Sequence, residues 1–132
     1  AIDRQAMPEQ VAEVRAVNFR EVNLGLTEQI AFLEAERCIQ CTRPTCIAGC
    51  PVAIDIPRFI RHLLVRDLPG ALAVIQETNL FPSICGRVCP QETQCEAQCV
   101  IAKKVESVAI GRLERYVGDN ARDKNLQANQ RD

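Results

Sequence analysis

The chain has 132 residues, with 16 basic and 17 acidic side chains and a net charge of −1. That length suits a single domain with a real core, and the near-neutral charge gives no electrostatic case for nucleic acid or an anionic membrane. No apolar run approaches a membrane span, and no basic stretch followed by an apolar one opens the sequence.

Trp is absent and Tyr occurs once, so the core must be aliphatic, while Cys occurs eight times. Without a secretory signal, metal or redox use of these thiols is favoured over disulfides, and a cytoplasmic location is expected. Residues 1–36 carry a balance of −4 and the remainder +3, which reads as an acidic arm ahead of a mildly basic body.

In chain order, Pro8 opens a polar stretch from Glu9 to Val22, with Val11, Val14, Val17 and Phe19 as apolar points. Residues 1–26 are expected to form a helical arm. Thr27 is placed to cap a helix through Arg37, with Ile30, Ala31 and Leu33 turned inward. Pro44, Gly49 and Pro51 exclude regular structure from the first cysteine segment.

Asp55-Ile56-Pro57 predicts a cap followed by a first-turn proline, and Phe59, Ile60, Leu63 and Leu64 then recur at helical spacing. Asp67-Leu68-Pro69 repeats the device for a helix to about Asn79. A second cysteine loop runs from Cys85 to Cys99, punctuated by Gly86 and Pro90. Ser107 is expected to cap a last helix to about Asn120, leaving residues 121–132 as a polar tail or the start of a linker. No alternation of period two persists, so the fold class is all-α: short helices carrying two cysteine-rich loops over residues 27–120.

The first cysteine group reads C-x2-C-x4-C-x3-C-P, from Cys38, Cys41 and Cys46 to Cys50-Pro51. The second comprises Cys85, Cys89-Pro90, Cys95 and Cys99. Soft thiolates suit iron–sulfur clusters and zinc, and a cubane needs four ligands from different directions. In two-cluster bacterial ferredoxins the Cys before Pro serves the other cluster. By that analogy Cys50 crosses to a second cluster and one cysteine of the second group crosses back. Zinc modules more often present two short knuckles or Cys/His sets. Here only Cys38 and Cys41 form a knuckle, and the single histidine, His62, falls in the helix after Asp55.

The last helix holds one carboxylate in an unexpected place. At about 100° per residue, Ile110, Leu113 and Val117 share a stripe, and Glu114 falls on its edge. Arg112, Arg115 and Asp119 fall on the other side. An ionised carboxylate facing a core needs a partner. Either Glu114 sits at the rim and meets an arginine such as Arg37 or Arg87, or it ligates a cluster iron.

Several of these runs coincide in one known module: Glu36-Arg37-Cys38-Ile39-Gln40-Cys41, Cys50-Pro51, Asp55-Ile56-Pro57-Arg58-Phe59-Ile60, Cys85-Gly86-Arg87-Val88-Cys89-Pro90-Gln91-Glu92, Cys95-Glu96 and Ala109-Ile110-Gly111-Arg112-Leu113-Glu114-Arg115. From about Pro8 to Asp119 the chain resembles the N-terminal double [4Fe-4S] domain shared by the glutamate synthase small subunit, dihydropyrimidine dehydrogenase and the large subunit of electron-bifurcating ferredoxin:NADP oxidoreductase. The resemblance implies an α-helical ferredoxin fold. It also implies one cluster on Cys38, Cys41, Cys46 and Cys99 and another on Cys50, Cys89, Cys95 and Glu114. Cys85 is then a spare, partly buried thiol and the rival for Glu114's place.

The implied role is an electron relay between a flavin/NAD(P)H site and a partner oxidoreductase subunit, such as a glutamate synthase large subunit. FAD and NAD(P)H are expected on further domains of a parent chain, since no G-x-G-x-x-G occurs here. The competing expectation is a metal-stapled docking domain, held by zinc or an inert cluster. No acid–base or nucleophile constellation accompanies the thiols, so no catalytic residue is assigned.

Overall fold

Proline and aspartate set the starts of the central helices. Asp55 accepts the Arg58 backbone N–H at 3.3 Å and opens α4, Ile56–Leu64. Asp67 accepts the Gly70 N–H at 2.9 Å and opens α5, Leu68–Gln76. In each case a proline fills the first turn, where its missing N–H costs nothing. The structure, a computed structural model, describes residues 1–126. Before this helix pair come α1 (Ala12–Arg15), α2 (Glu28–Glu36) and α3 (Thr45–Gly49). After it come α6 (Pro82–Val88), three 3-10 turns (Gln91–Thr93, Glu96–Gln98 and Val100–Lys103) and α7 (Ile110–Asp123). Among the described residues there is no strand, only an isolated antiparallel bridge between Glu9 and Asn23. The all-α expectation holds.

The core is aliphatic, as the composition requires: Phe59, Ile60 and Leu63 of α4 and Ile75 of α5 pack with Leu113 and Val117 of α7. Each side chain of this size contributes about 1.5–3 kcal/mol when removed from water. α7 is the axle. Its N-terminal half is buried nearly all round, Arg115 included, so it is not the one-sided helix that periodicity suggests. Arg115 is tolerated because Asp119 and Glu21 supply carboxylates at 3.3 and 3.4 Å and the Asn23 carbonyl accepts a further N–H at 2.9 Å. Behind it, α6 lies against α7 closely enough that a Cβ on Gly86 would sit 2.6 Å from the Arg115 backbone nitrogen.

Several sequence expectations shift. Within residues 1–26, helix is confined to Ala12–Arg15, and it buries nothing. Val17 and Phe19 are fully in solvent, so no face existed to hold a longer helix there. The first residues instead strap the body. Arg4 reaches Glu96 at 2.9 Å and Ser107, while the Gln5 N–H meets Glu34 at 2.7 Å. In α2, Thr27 caps as expected, but Ala31, Glu34 and Ala35 turn inward while Leu33 is exposed. In α4, Leu64 likewise faces outward.

Ser107 does not cap α7. Ala109 occupies that position without a side-chain cap, and the Ser107 hydroxyl accepts from Arg4. The free N–H groups of Ala109 and Gly111 go to the carboxylates of Glu34, at 2.8 Å, and Glu96, at 3.4 Å, which also suits the positive end of the helix. α7 continues to Asp123, past the expected end at Asn120, because Ala121 is buried. The last six residues of the expected tail lie outside the described residues. Cys85, assigned to a loop, rides on α6.

Candidate iron–sulfur site

All eight cysteines are free thiols. Cys38 follows the end of α2, with its N–H on the Ala35 carbonyl at 3.1 Å. The chain then turns sharply: Gln40 adopts a left-handed φ of 50°, which brings Cys41 back alongside. Cys46 sits on the short α3, and Cys99 joins two 3-10 turns. Although Cys99 lies more than fifty residues away, it lines one cavity together with Cys38, Cys41 and Cys46. Ile56, Ile60, Val108 and Ile110 form its aliphatic walls. Burial pushes the Cys46 thiol up to about 12, and the neighbouring Cys99, Cys38 and Cys41 add to it. The Cys38 thiol is raised by burial as well. Such thiols stay protonated on their own, and only a cationic group bound among them would draw them into the thiolate form that ligates metal. The amide of Gln40 lies 3.5 Å from the Cys38 sulfur as a donor.

A second set gathers on the other side of α3. Cys50, the residue ending α3, Cys89, the residue ending α6, and Cys95 all fall within electrostatic reach of one another or of Glu114. Burial raises the Cys89 thiol and pushes Cys95 up to about 12, with Glu96 and Cys50 adding to it. Cys85 lies close enough to Cys89 to add to that rise. α3 and the Glu96–Gln98 turn pack together; Cys46 and Cys99, one from each, line the first cavity, and Cys50 and Cys95, again one from each, lie within electrostatic reach of one another.

Glu114 is 6% exposed. Among the described residues no arginine meets it: Arg37 is taken by Glu34 at 2.7 Å and by main-chain carbonyls, and Arg87 by Glu21 and Asp119. Its hydrogen-bond partner is the neutral amide of Asn79, at 2.6 Å. Burial pushes the Glu114 carboxyl up to about 7, and the Asn79 bond offsets only part of this. A buried carboxylate near the Cys89 and Cys95 thiols, with an amide and not a cation as its partner, has the donor chemistry that an iron–sulfur cluster takes. Among the described residues no three such side chains converge closely enough for a single metal ion. His62 stands apart, half-buried, with Nδ1 2.8 Å from Asp67.

The comparisons with known proteins agree with this chemistry. Residues 15–126 match the family described as dihydropyrimidine dehydrogenase domain II, 4Fe-4S cluster. The chain belongs to this family. Its curated relatives include the glutamate synthase [NADPH] small chain of Azospirillum brasilense, 40% identical over 90% of this chain and 25% of the relative. The Escherichia coli small chain is 33% identical over 91% of this chain and 25% of its own length. The NAD-dependent dihydropyrimidine dehydrogenase subunit PreT of Escherichia coli is 37% identical over 75% of this chain and 24% of the relative. The chain thus spans about a quarter of the length of the relatives it matches. As a member of this family it is a [4Fe-4S] domain. No helix among the described residues is long and apolar enough to cross a membrane.

Sequence reasoning missed Asn79, Glu34 and Glu96. Only Asn79 left a local trace, since an Asn whose side chain accepts the backbone N–H two residues on, here that of Phe81 just before α6, is a common turn device.

Proposed function

We propose that this domain holds two [4Fe-4S] clusters and relays electrons between a flavin/NAD(P)H site and a partner subunit or second active site. Cys38, Cys41, Cys46 and Cys99 would hold the first cluster, and Cys50, Cys89, Cys95 and Glu114 the second. The observation that carries this reading is Glu114, a buried carboxylate with no cation of its own, facing thiols from two different elements. When bound, each cluster takes up or gives out one electron. The protein supplies the donors, excludes water with Ile56, Ile60, Val108 and Ile110, and offers the Gln40 amide to one sulfur. Hydrogen bonds to sulfur, burial and ligand type are the levers that set potential. Replacing one thiolate by a carboxylate makes the two clusters unequal.

The names of the relatives support a parent oxidoreductase of the glutamate synthase small-chain kind, with FAD and NAD(P)H on its other domains and a large subunit as partner. The relay reading is tested on anaerobically purified protein. About eight iron and eight acid-labile sulfides, with two distinct EPR signals after reduction, are expected, since each cubane contains four of each. Glu114→Ala should alter the second signal alone. A colourless protein with stoichiometric zinc would instead establish the docking-domain alternative.

A further inference from the structure

Asn79, just beyond α5, is 7% exposed and belongs to neither donor set. Its amide can be oriented in only one way. The Phe81 backbone N–H donates to Oδ1 at 2.9 Å, and a backbone N–H demands an acceptor, so that atom is the oxygen. Nδ2 therefore faces Glu114, donating to Oε1 at 2.6 Å. This occupies one carboxylate oxygen and leaves Oε2 for another partner. The same Oδ1 lies 3.5 Å from the Cys85 sulfur, where an oxygen acceptor can be met only by the S–H. Two donors thus compete for one place in the second site, and a single amide holds each of them in a different state.

We propose that Asn79 is the positioning residue of the second cluster: it presents Glu114 as the fourth donor and keeps Cys85 outside the donor set by binding its S–H. The proposal rests on the reading of Glu114 as a ligand. Softness alone favours the rival, because thiolate suits iron–sulfur clusters better than carboxylate does. The Asn79 bonds oppose that preference. If they are removed, Cys85 gives its proton to the departing Glu114 carboxylate and takes the vacated position. One donor replaces another, and no electron is transferred.

The test uses the full chain, purified anaerobically, with EPR-monitored redox titration as readout and the first cluster's signal as the internal check on folding. Asn79→Leu is expected to leave the first signal intact, and to replace the second by one resembling the all-thiolate first cluster, at a shifted potential. Adding Cys85→Ser to Asn79→Leu should then cause loss of the second signal, because neither donor remains in place. Asn79→Asp keeps the acceptor for the Phe81 N–H and the Cys85 S–H but loses the N–H donor to Glu114, so it should shift the second cluster's potential without giving the all-thiolate signal.

An unchanged second signal and potential in Asn79→Leu, alongside a changed one in Glu114→Ala, would overturn the role of Asn79 and leave the ligand reading standing. Loss of the second signal in Cys85→Ser alone, with Glu114→Ala unaffected, would overturn the ligand reading itself. If Asn79→Leu also loses the first signal, Asn79→Asp decides: a shift confined to the second cluster supports the proposal, and none refutes it.

Discussion

The two thiol sets solve the same problem by different means. The first has four identical soft donors in an aliphatic cavity, and needs only burial and a backbone that turns back at Gln40. The second mixes three thiols with a carboxylate and keeps a fourth thiol nearby. A mixed set needs a layer of hydrogen bonds behind it to say which group binds, and in the proposed second site the bonds of Asn79 to Glu114 and Phe81 would be that layer. Their supports differ too. The first set leans on the buried ion pair Glu34–Arg37, whereas the second leans on the close contact of α6 with α7 at Gly86. Uniform donors tolerate a plain environment, and mixed donors require a specified one.

The largest effect should come from the donors. Cys46→Ser is expected to remove only the first cluster and Cys89→Ser only the second, each halving iron and sulfide to about four. Next comes Glu34→Ala. It strips the acceptor from Arg37, Gln5 and Ala109 at once, and breaking a buried ion pair costs about 3–5 kcal/mol. Bleaching of the visible absorbance in urea should accelerate, with the first EPR signal fading before the second.

Gly86→Ala should reverse that order at lower cost. Its Cβ would meet the α7 main chain, which cannot swing aside, and overpacking of this kind costs about 1–3 kcal/mol. The second signal should weaken while the first persists.

The smallest effect should be Asp67→Asn, remote from both sets. The Asp67 carboxyl is held below its ordinary value of 3.8 by the Gly70 N–H and then by His62. Its contribution is therefore present above that value and lost as pH falls through the lower folded one. The difference in urea midpoint between wild type and variant should shrink as pH drops from about 5 toward 3, without preference for either cluster.

What the sequence made legible was local or chemical. The Asp-x-Pro starts of α4 and α5 are fixed by residues within four positions of each other. The expectation that Cys50 crosses to a second cluster came from its Cys-Pro, whose steric logic is written in the chain, and it stands as a proposal. What stayed hidden depends on distant partners. Leu33 faces outward and Glu34 inward because Gln5 and Ala109 arrive to satisfy the carboxylate. Arg115 is buried because Glu21 and Asn23 fold back over it. Periodicity sees one helix at a time, and α7 is covered from several sides by elements it could not foretell.

The packing of α3 on the Glu96–Gln98 turn carries one more consequence, for how this molecule can be divided. Cys46 and Cys50 stand four positions apart and face opposite sets, as do Cys95 and Cys99. On the proposed ligand sets, cutting the chain anywhere between residues 51 and 84 would leave each fragment with donors from both sets and a complete complement of neither. With that ligation the domain would not divide into two one-cluster pieces, and the two sites would stand or fall together.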